Sequence, residues 1–123
     1  MKLTLDTPVA TYVIWFYGPG QVVVDHKTYT STLVIMPDVL ITDWPPQHFE
    51  DLAAAHFEDL AQYSPDVVLL GTGGQLRFPS HDLLFPLEKR GIGVEVMNTG
   101  AACRTYNLLV AEQRQVAAIL LMI

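Results

Sequence analysis

The chain has 123 residues, a length that suits one compact domain over residues 1–123. Hydrophobic residues make up 50% and charged residues 16%, a composition that argues against disorder. Its formal net charge of −6 repels phosphate groups, which speaks against a nucleic-acid partner and against an anionic membrane surface. Cys103 is the only cysteine, which fits a reducing compartment, and the longest apolar run, Val116–Ile123, is far shorter than the ~20 residues of a membrane-spanning helix. We therefore predict a cytoplasmic protein without membrane insertion.

The first third of the chain has β character. Pro8–Tyr17 is apolar and lacks the small-residue cleavage pattern of a signal peptide, so we expect it to contribute a strand. Tyr12–Tyr17 and Gln21–Asp25 flank the turn residues Gly18-Pro19-Gly20, a pattern that predicts a hairpin. After a turn at His26-Lys27, the further strands predicted in this region are Tyr29–Met36 and Val39–Thr42.

A helical segment follows Trp44-Pro45-Pro46, and in it the sequence HFEDLA occurs at residues 48–53 and again at 56–61. The apolar side chains of both copies share one arc of a helical wheel and the acidic ones lie opposite, which predicts a single amphipathic helix with a solvated acidic face. His56 lies in the apolar arc, so we expect a half-buried imidazole. His48 and His56 also lack the spacing of two metal ligands on one helix face, and no metal site or cofactor is predicted.

Strand, turn and helix alternate in the second half. Val67–Leu70 is a continuous apolar run, typical of a strand that is covered on both faces, and it ends in Gly71-Thr72-Gly73-Gly74. The later predicted elements are a helix capped by Ser80, kinked or split at Pro86 and ending near Gly91, a strand at Ile92–Met97, a helix capped by Thr99 and running to about Arg114, and a strand at Val116–Ile123. This alternation predicts a central sheet with helices packed on it, to which the first third adds β structure.

Two strand ends are the candidates for a site, because ligands of open α/β sheets bind beyond the carboxyl ends of parallel strands. One is the glycine turn at Gly71–Gly74 and the other is Met97–Arg104. If their strands are parallel neighbours, both loops open onto one crevice. The glycine turn lacks the lysine of a phosphate-binding P-loop and the third glycine of a dinucleotide fingerprint, so a tight turn and a backbone cradle for an anion remain alternatives.

The helix start after the second strand end carries polar side chains on one side. The candidate ligand-binding residues from both loops are Gly71, Thr72, Gly73, Thr99, Cys103, Arg104 and Asn107. In the structural alternative, Arg104 or Arg77 pairs with Glu95, a carboxylate inside a predicted strand. Cys103 is either an inert small hydrophobe or a thiol whose pKa is lowered by the helix start and Arg104. The spacing of the acidic residues predicts no catalytic pair.

Several motifs make the chain resemble a known family. They are Tyr17-Gly18, Trp44, Leu70-Gly71-Thr72-Gly73, Gly91–Met97 and, as the most specific, Thr99–Asn107 followed by Glu112 and Arg114. This pattern is similar to that of the small Mth938-like domain proteins, whose eukaryotic relatives include a mitochondrial complex I assembly factor and an adipogenesis-associated protein. The chain departs from that pattern at Gln113, where the family usually has glycine. The resemblance implies a three-layer α/β fold with a mixed central sheet and an additional N-terminal β layer, and it implies no catalytic residues.

Two functions are compatible with these patterns. The first is a non-enzymatic interaction or assembly protein with a protein partner, which the assembly-factor relative and the lack of a recognisable catalytic set favour. The second is binding of a small anion or a nucleotide-like ligand, with catalysis left open, between the Gly71 and Thr99 loops. A homodimer is a further prediction, since the β-rich first third can leave an apolar surface or a sheet edge.

Overall fold

A computed structural model describes residues 11–123, so the expectations for residues 1–10, including the start of Pro8–Tyr17, lie outside the described residues. In chain order the described elements are β1 (Ile14–Gly18), β2 (Gln21–Val24), β3 (Lys27–Tyr29), β4 (Leu33–Ile35), β5 (Leu40–Ile41), a 3-10 turn (Phe49–Asp51), α1 (Ala54–Ala61), β6 (Val67–Gly71), α2 (His81–Glu88), β7 (Gly93–Met97), α3 (Thr99–Ala111) and β8 (Val116–Leu120).

The larger of the two sheets in the described chain is mixed and has the strand order β5-β4-β8-β6-β7. β6 runs parallel to both β7 and β8, whereas β4 runs antiparallel to β8 and β5. The neighbouring strands β8 and β6 carry apolar residues on both of their faces. Val68 and Leu70 of β6 belong to the core on one face, while Leu69 belongs to the core on the other face. The prediction of a mixed central sheet is therefore confirmed.

Each face of this sheet is covered by a different layer. On one face, the helices α1 and α2 bury Phe57, Leu60 and Leu87 against the strands. On the other face, Tyr106 of α3 packs among residues of the smaller antiparallel sheet, which has the order β1-β2-β3 and contributes Ile14. The predicted three-layer α/β fold with an additional N-terminal β layer is confirmed.

The prediction of one helix across both HFEDLA copies is wrong. The chain leaves the helical conformation at Leu52 and Ala53, where ψ is 134° and 158°. The Asp51 carboxylate accepts the N–H of His48 at 3.2 Å, and Nδ1 of His56 accepts the N–H of Ala53 at 2.9 Å. These local side-chain acceptors satisfy backbone donors at the start of each short helix and compete with one continuous helix.

Other boundaries also differ from the sequence-based prediction. The predicted strand Tyr29–Met36 is two strands, because the chain passes from the smaller sheet to the larger one between β3 and β4. Ser80 occupies the N-cap position of α2 but makes no side-chain capping bond. Pro86 does not split α2, since the helix continues through it to Glu88, and the proline is buried.

Phe57 anchors α1 in the core, and its truncation tests this packing. We expect Phe57→Ala to lower the free energy of unfolding by about 3–5 kcal/mol in urea denaturation, because the ring is fully buried. Phe85→Ala is the matched control: its ring on α2 is 59% exposed, and the expected change is within about 0.5 kcal/mol. Equal losses in the two variants would contradict the placement of α1.

Candidate functional site

The glycine turn and the start of α3 are tied together by the side chain of Thr99. Its hydroxyl donates to the carbonyl of Leu121 at 2.6 Å and accepts the N–H of Gly73 at 2.8 Å. The Thr99 N–H in turn donates to the carbonyl of Gly73 at 2.9 Å. Thr99 is completely buried, so these three bonds form a closed junction between the ends of β6, β7 and β8.

Gly71 and Thr72 belong to the same junction. A Cβ atom at Gly71 would lie 3.0 Å from the carbonyl oxygen of Ile119 and from the Thr99 hydroxyl, so only glycine permits this close approach. The Thr72 hydroxyl donates to the carbonyl of Gln75 at 2.6 Å and accepts the N–H of Arg77 at 3.2 Å, which shapes the following loop. These side chains satisfy backbone groups of the chain itself.

Asn98 is the residue that caps α3, which corrects the prediction for Thr99. Oδ1 of Asn98 accepts the N–H of Ala101 at 2.8 Å. Thr99 is the first helical residue, and its hydroxyl is engaged by the junction. The capping motif therefore begins one residue earlier than the sequence indicated, since Asn and Thr are both good N-cap residues and spacing does not separate them.

Cys103, Arg104 and Asn107 face a different part of the molecule. They line a cavity of about 420 Å³ between α3 and β1, together with Ile14, Trp15, Phe16 and Tyr17. The candidate residues therefore fall into two groups, the hydrogen-bonded junction and this β1–α3 cavity. They do not meet in a single crevice between the two loops.

Asn107 fastens β1 to α3. Its Oδ1 accepts the N–H of Ile14 at 2.9 Å, and its Nδ2 donates to the carbonyl of the same residue at 2.7 Å. The pairing of β1 with β2 is irregular at this point, since the register shifts between Ile14 and Phe16. Asn107 thus satisfies the N–H and the carbonyl of Ile14 beside a β-bulge. A β-bulge changes the direction in which the neighbouring side chains point.

Trp15 and Phe16 are cavity residues that the sequence reasoning missed. Both rings are 55% exposed, whereas the preceding Ile14 is buried. The Trp15 ring packs edge-on against His26, with 4.4 Å between the ring centroids. Two adjacent large aromatic residues in a predicted strand could have indicated an exposed aromatic side chain. Successive side chains of a regular strand point to opposite faces, so both rings cannot enter one core.

Arg104 contacts Tyr17. Its guanidinium donates a hydrogen bond to the Tyr17 hydroxyl and lies 5.8 Å from the centroid of that ring. Gly100 leaves the space for this contact, since a Cβ atom there would come within 2.9 Å of the Tyr17 ring. Within residues 11–123, no carboxylate lies at ion-pair distance from Arg104.

The expected pairing of Glu95 with an arginine is not observed. Arg77 pairs with Glu50 at 2.7 Å instead, and Arg104 contacts Tyr17. Glu95 is exposed, because β7 lies at the end of the described sheet order and this side chain points to solvent. A solvated carboxylate has no need of a partner.

The thiol of Cys103 is only 1% exposed. Burial raises its pKa from 9.0 to about 12, and the neighbouring Arg104 opposes this shift more weakly. At neutral pH the group is an uncharged S–H, which supports the inert alternative, because only the thiolate is a strong nucleophile. Among residues 11–123, moreover, no three His, Cys, Asp or Glu side chains converge as metal ligands would.

Comparisons with known proteins agree with this fold. A family model described as a protein of unknown function (DUF498/DUF598) matches residues 14–121. The NADH dehydrogenase (ubiquinone) 1 alpha subcomplex assembly factor 3 of Danio rerio is 31% identical over 111 residues, which cover 89% of this chain and 63% of that protein. The chain thus spans less than two thirds of the length of this relative.

Solved structures give the same result. A Bordetella parapertussis protein superposes with a TM-score of 0.87 at 34% identity, covering 92% of this chain and 97% of that one. A Mth938-like domain from Bordetella pertussis superposes with a TM-score of 0.81 at 29% identity, covering 98% and 92%. The resemblance to Mth938-like domains is confirmed. None of the helices in the described part of the chain is long and apolar enough to span a membrane.

Removal of the Thr99 hydroxyl tests the junction. We expect Thr99→Val to destabilise the protein by about 2–3 kcal/mol in urea denaturation, because it leaves the Leu121 carbonyl and the Gly73 N–H unpaired in a buried place. Thr105→Val in the middle of α3 is the control, since the Thr105 hydroxyl bonds to nothing in residues 11–123 and should cost less than about 1 kcal/mol. Equal effects at both positions would contradict a special role for Thr99.

The buried thiol predicts a dependence of stability on alkaline pH. The folded protein holds the Cys103 proton more tightly than the unfolded chain, so this contribution is complete below pH 9.0 and is lost as the pH rises towards about 12. In that window the free energy of unfolding of the wild type should fall by about 1.4 kcal/mol per pH unit more steeply than that of Cys103→Ala. Parallel curves in urea titrations at several pH values would refute this assignment.

Proposed function

The chain belongs to the DUF498/DUF598 family, and from this premise we propose that it is a non-enzymatic interaction protein of the assembly-factor type. The name of the zebrafish relative supports such a role. By the same name, the partner that we propose is a subunit or an assembly intermediate of an NADH dehydrogenase. A cytoplasmic site of action is part of the proposal, since the one cysteine of the sequence fits a reducing compartment.

The observation that carries this proposal is the pair of exposed aromatic rings on β1. Trp15 and Phe16 lie side by side next to Arg104, and each keeps more than half of its surface in solvent. Leu108, one helical turn after Arg104, is 60% exposed. Tryptophan, tyrosine and arginine are enriched among the residues that dominate protein interfaces, and adjacent exposed apolar side chains mark such contact surfaces.

The strand that carries these two rings is fixed to α3 before any partner arrives. Asn107 clamps the backbone of Ile14, and His26 packs against the Trp15 ring. A rigid surface loses little conformational entropy on binding, which favours affinity. Two aromatic rings beside one arginine, carried on a strand whose backbone is fixed, suit recognition of a protein partner.

A double variant tests the role of the two rings. We expect Trp15→Ser/Phe16→Ser to reduce the recovery of NADH dehydrogenase subunits with the tagged protein at least about tenfold, since residues that dominate interfaces contribute ~2 kcal/mol or more. The subunits are identified by mass spectrometry after native purification. The melting temperature should stay close to that of the wild type, because both rings are mostly exposed.

Phe85→Ser is the matched control for this experiment. It removes an equally exposed ring from α2, on the opposite side of the central sheet, and should leave recovery unchanged. Recovery of the subunits by the double variant at the wild-type level would sink the proposal. The proposal would also fail if native purification of the wild type recovered no NADH dehydrogenase subunit and sedimentation velocity showed only self-associated chain. That result would instead support the predicted homodimer.

A further inference from the structure

The β1–α3 cavity has the size and lining of a small-molecule site. Its volume of about 420 Å³ lies within the range of ligand pockets, and its apolar wall is formed by Ile14, Trp15 and Phe16. Ligand pockets combine such an apolar wall with a few fixed polar groups that orient the ligand. Here the polar groups are Tyr17 and Arg104, which contact each other.

The cavity contains one cation and no anion. Arg104 is the only charged residue in its lining, although the whole chain carries a net charge of −6. Elsewhere in residues 11–123, Arg77 pairs with Glu50, and Lys89 and Arg90 both pair with Glu58. The cation of the cavity thus differs from these three in contacting the hydroxyl and the ring of Tyr17 instead of a carboxylate.

Arg104 and Tyr17 together present several free hydrogen-bond donors. The guanidinium uses one N–H on the Tyr17 oxygen and keeps its others. Because that oxygen accepts from Arg104, the phenolic O–H remains free to donate. A carboxylate fits this arrangement, since its two oxygens can accept from the guanidinium and from the phenol at the same time.

The other polar groups in the lining do not compete for a ligand. Both ends of the Asn107 amide are used on the backbone of Ile14. The Cys103 thiol is neutral and buried, so it does not repel an anion. The cavity therefore carries a single positive charge, which matches one carboxylate better than a doubly charged phosphate.

From this combination we propose that the β1–α3 cavity binds a small amphipathic monocarboxylate. The carboxylate accepts hydrogen bonds from the Arg104 guanidinium and from the adjacent Tyr17 hydroxyl, and the apolar body lies along the rings of Trp15 and Phe16. This site does not require the protein partner proposed above, because every group in it belongs to one chain.

Octanoate is a suitable probe, and the two tryptophans provide the readout. Trp15 lines the cavity, whereas Trp44 is buried in the core on the other face of the central sheet. With the purified chain, we expect octanoate to protect Trp15 from acrylamide quenching and to give a saturable isotherm in calorimetry. Octanol lacks the charge and acetate lacks the apolar body, so both should bind at least about tenfold more weakly. Trp15→Phe should abolish the fluorescence change.

Two matched arginine variants separate specific binding from the general effect of charge. Arg104→Gln should weaken octanoate binding at least about tenfold, because charge-assisted hydrogen bonds are lost. Arg114→Gln removes the same charge from an exposed position outside the cavity lining and should change the affinity less than about twofold. Tyr17→Phe should weaken binding about fivefold.

Several results would overturn this inference. They are the absence of saturable octanoate binding in the low millimolar range, octanol or inorganic phosphate binding as tightly as octanoate, and equal losses of affinity in the two arginine variants. Because these measurements use the chain alone, their failure would leave the protein-partner proposal standing. Conversely, loss of that proposal would not affect them.

Discussion

Burial of both faces of β6 and β8 is the constraint on which the rest of the fold depends. These strands pair with each other in parallel within the larger sheet. Successive residues along each strand are buried alternately in the core on one face and in the core on the other. Two layers must therefore cover the sheet. The helices α1 and α2 cover one face, while α3 and the smaller sheet share the other. The β-rich first third is needed because α3 alone leaves part of its face open.

Short polar side chains hold these layers together by bonding to the backbone. Thr99 joins the glycine turn to the last residues after β8, and Asn107 joins β1 to α3. Asp51 and His56 satisfy the starts of the two short helices. An unpaired buried backbone group costs more free energy than one hydrogen bond gains, so a buried residue such as Thr99 specifies the structure strongly. Polar residues that resemble a ligand site can thus be fully occupied by the fold.

The β1–α3 cavity contains the candidate residue Arg104, to which none of these structural roles applies. Its aromatic rings are exposed because a bulge interrupts the regular alternation of β1. Its arginine has no carboxylate partner in the described chain, although the protein is acidic overall. Exposed aromatic rings lower solubility without helping the core, and here they lie beside a guanidinium that is open to solvent. Their presence at one place is the physical reason for assigning function there.

Much of the architecture was determined by the sequence alone. The apolar run at Val67–Leu70 and the glycine turn after it predicted a central sheet with helices packed on it, because hydrophobic period and turn chemistry are local properties. The mixed character of that sheet was implied by the resemblance to the Mth938-like proteins, for which the motif Thr99–Asn107 is the most specific. Local patterns did not predict which partner each polar group would choose. The Thr99 hydroxyl bonds 22 residues away to Leu121, and Asn107 bonds 93 residues away to Ile14. Only the tertiary structure decided that Arg104 contacts Tyr17 while Glu95 stays in solvent, since that choice depends on distances between elements far apart in the chain.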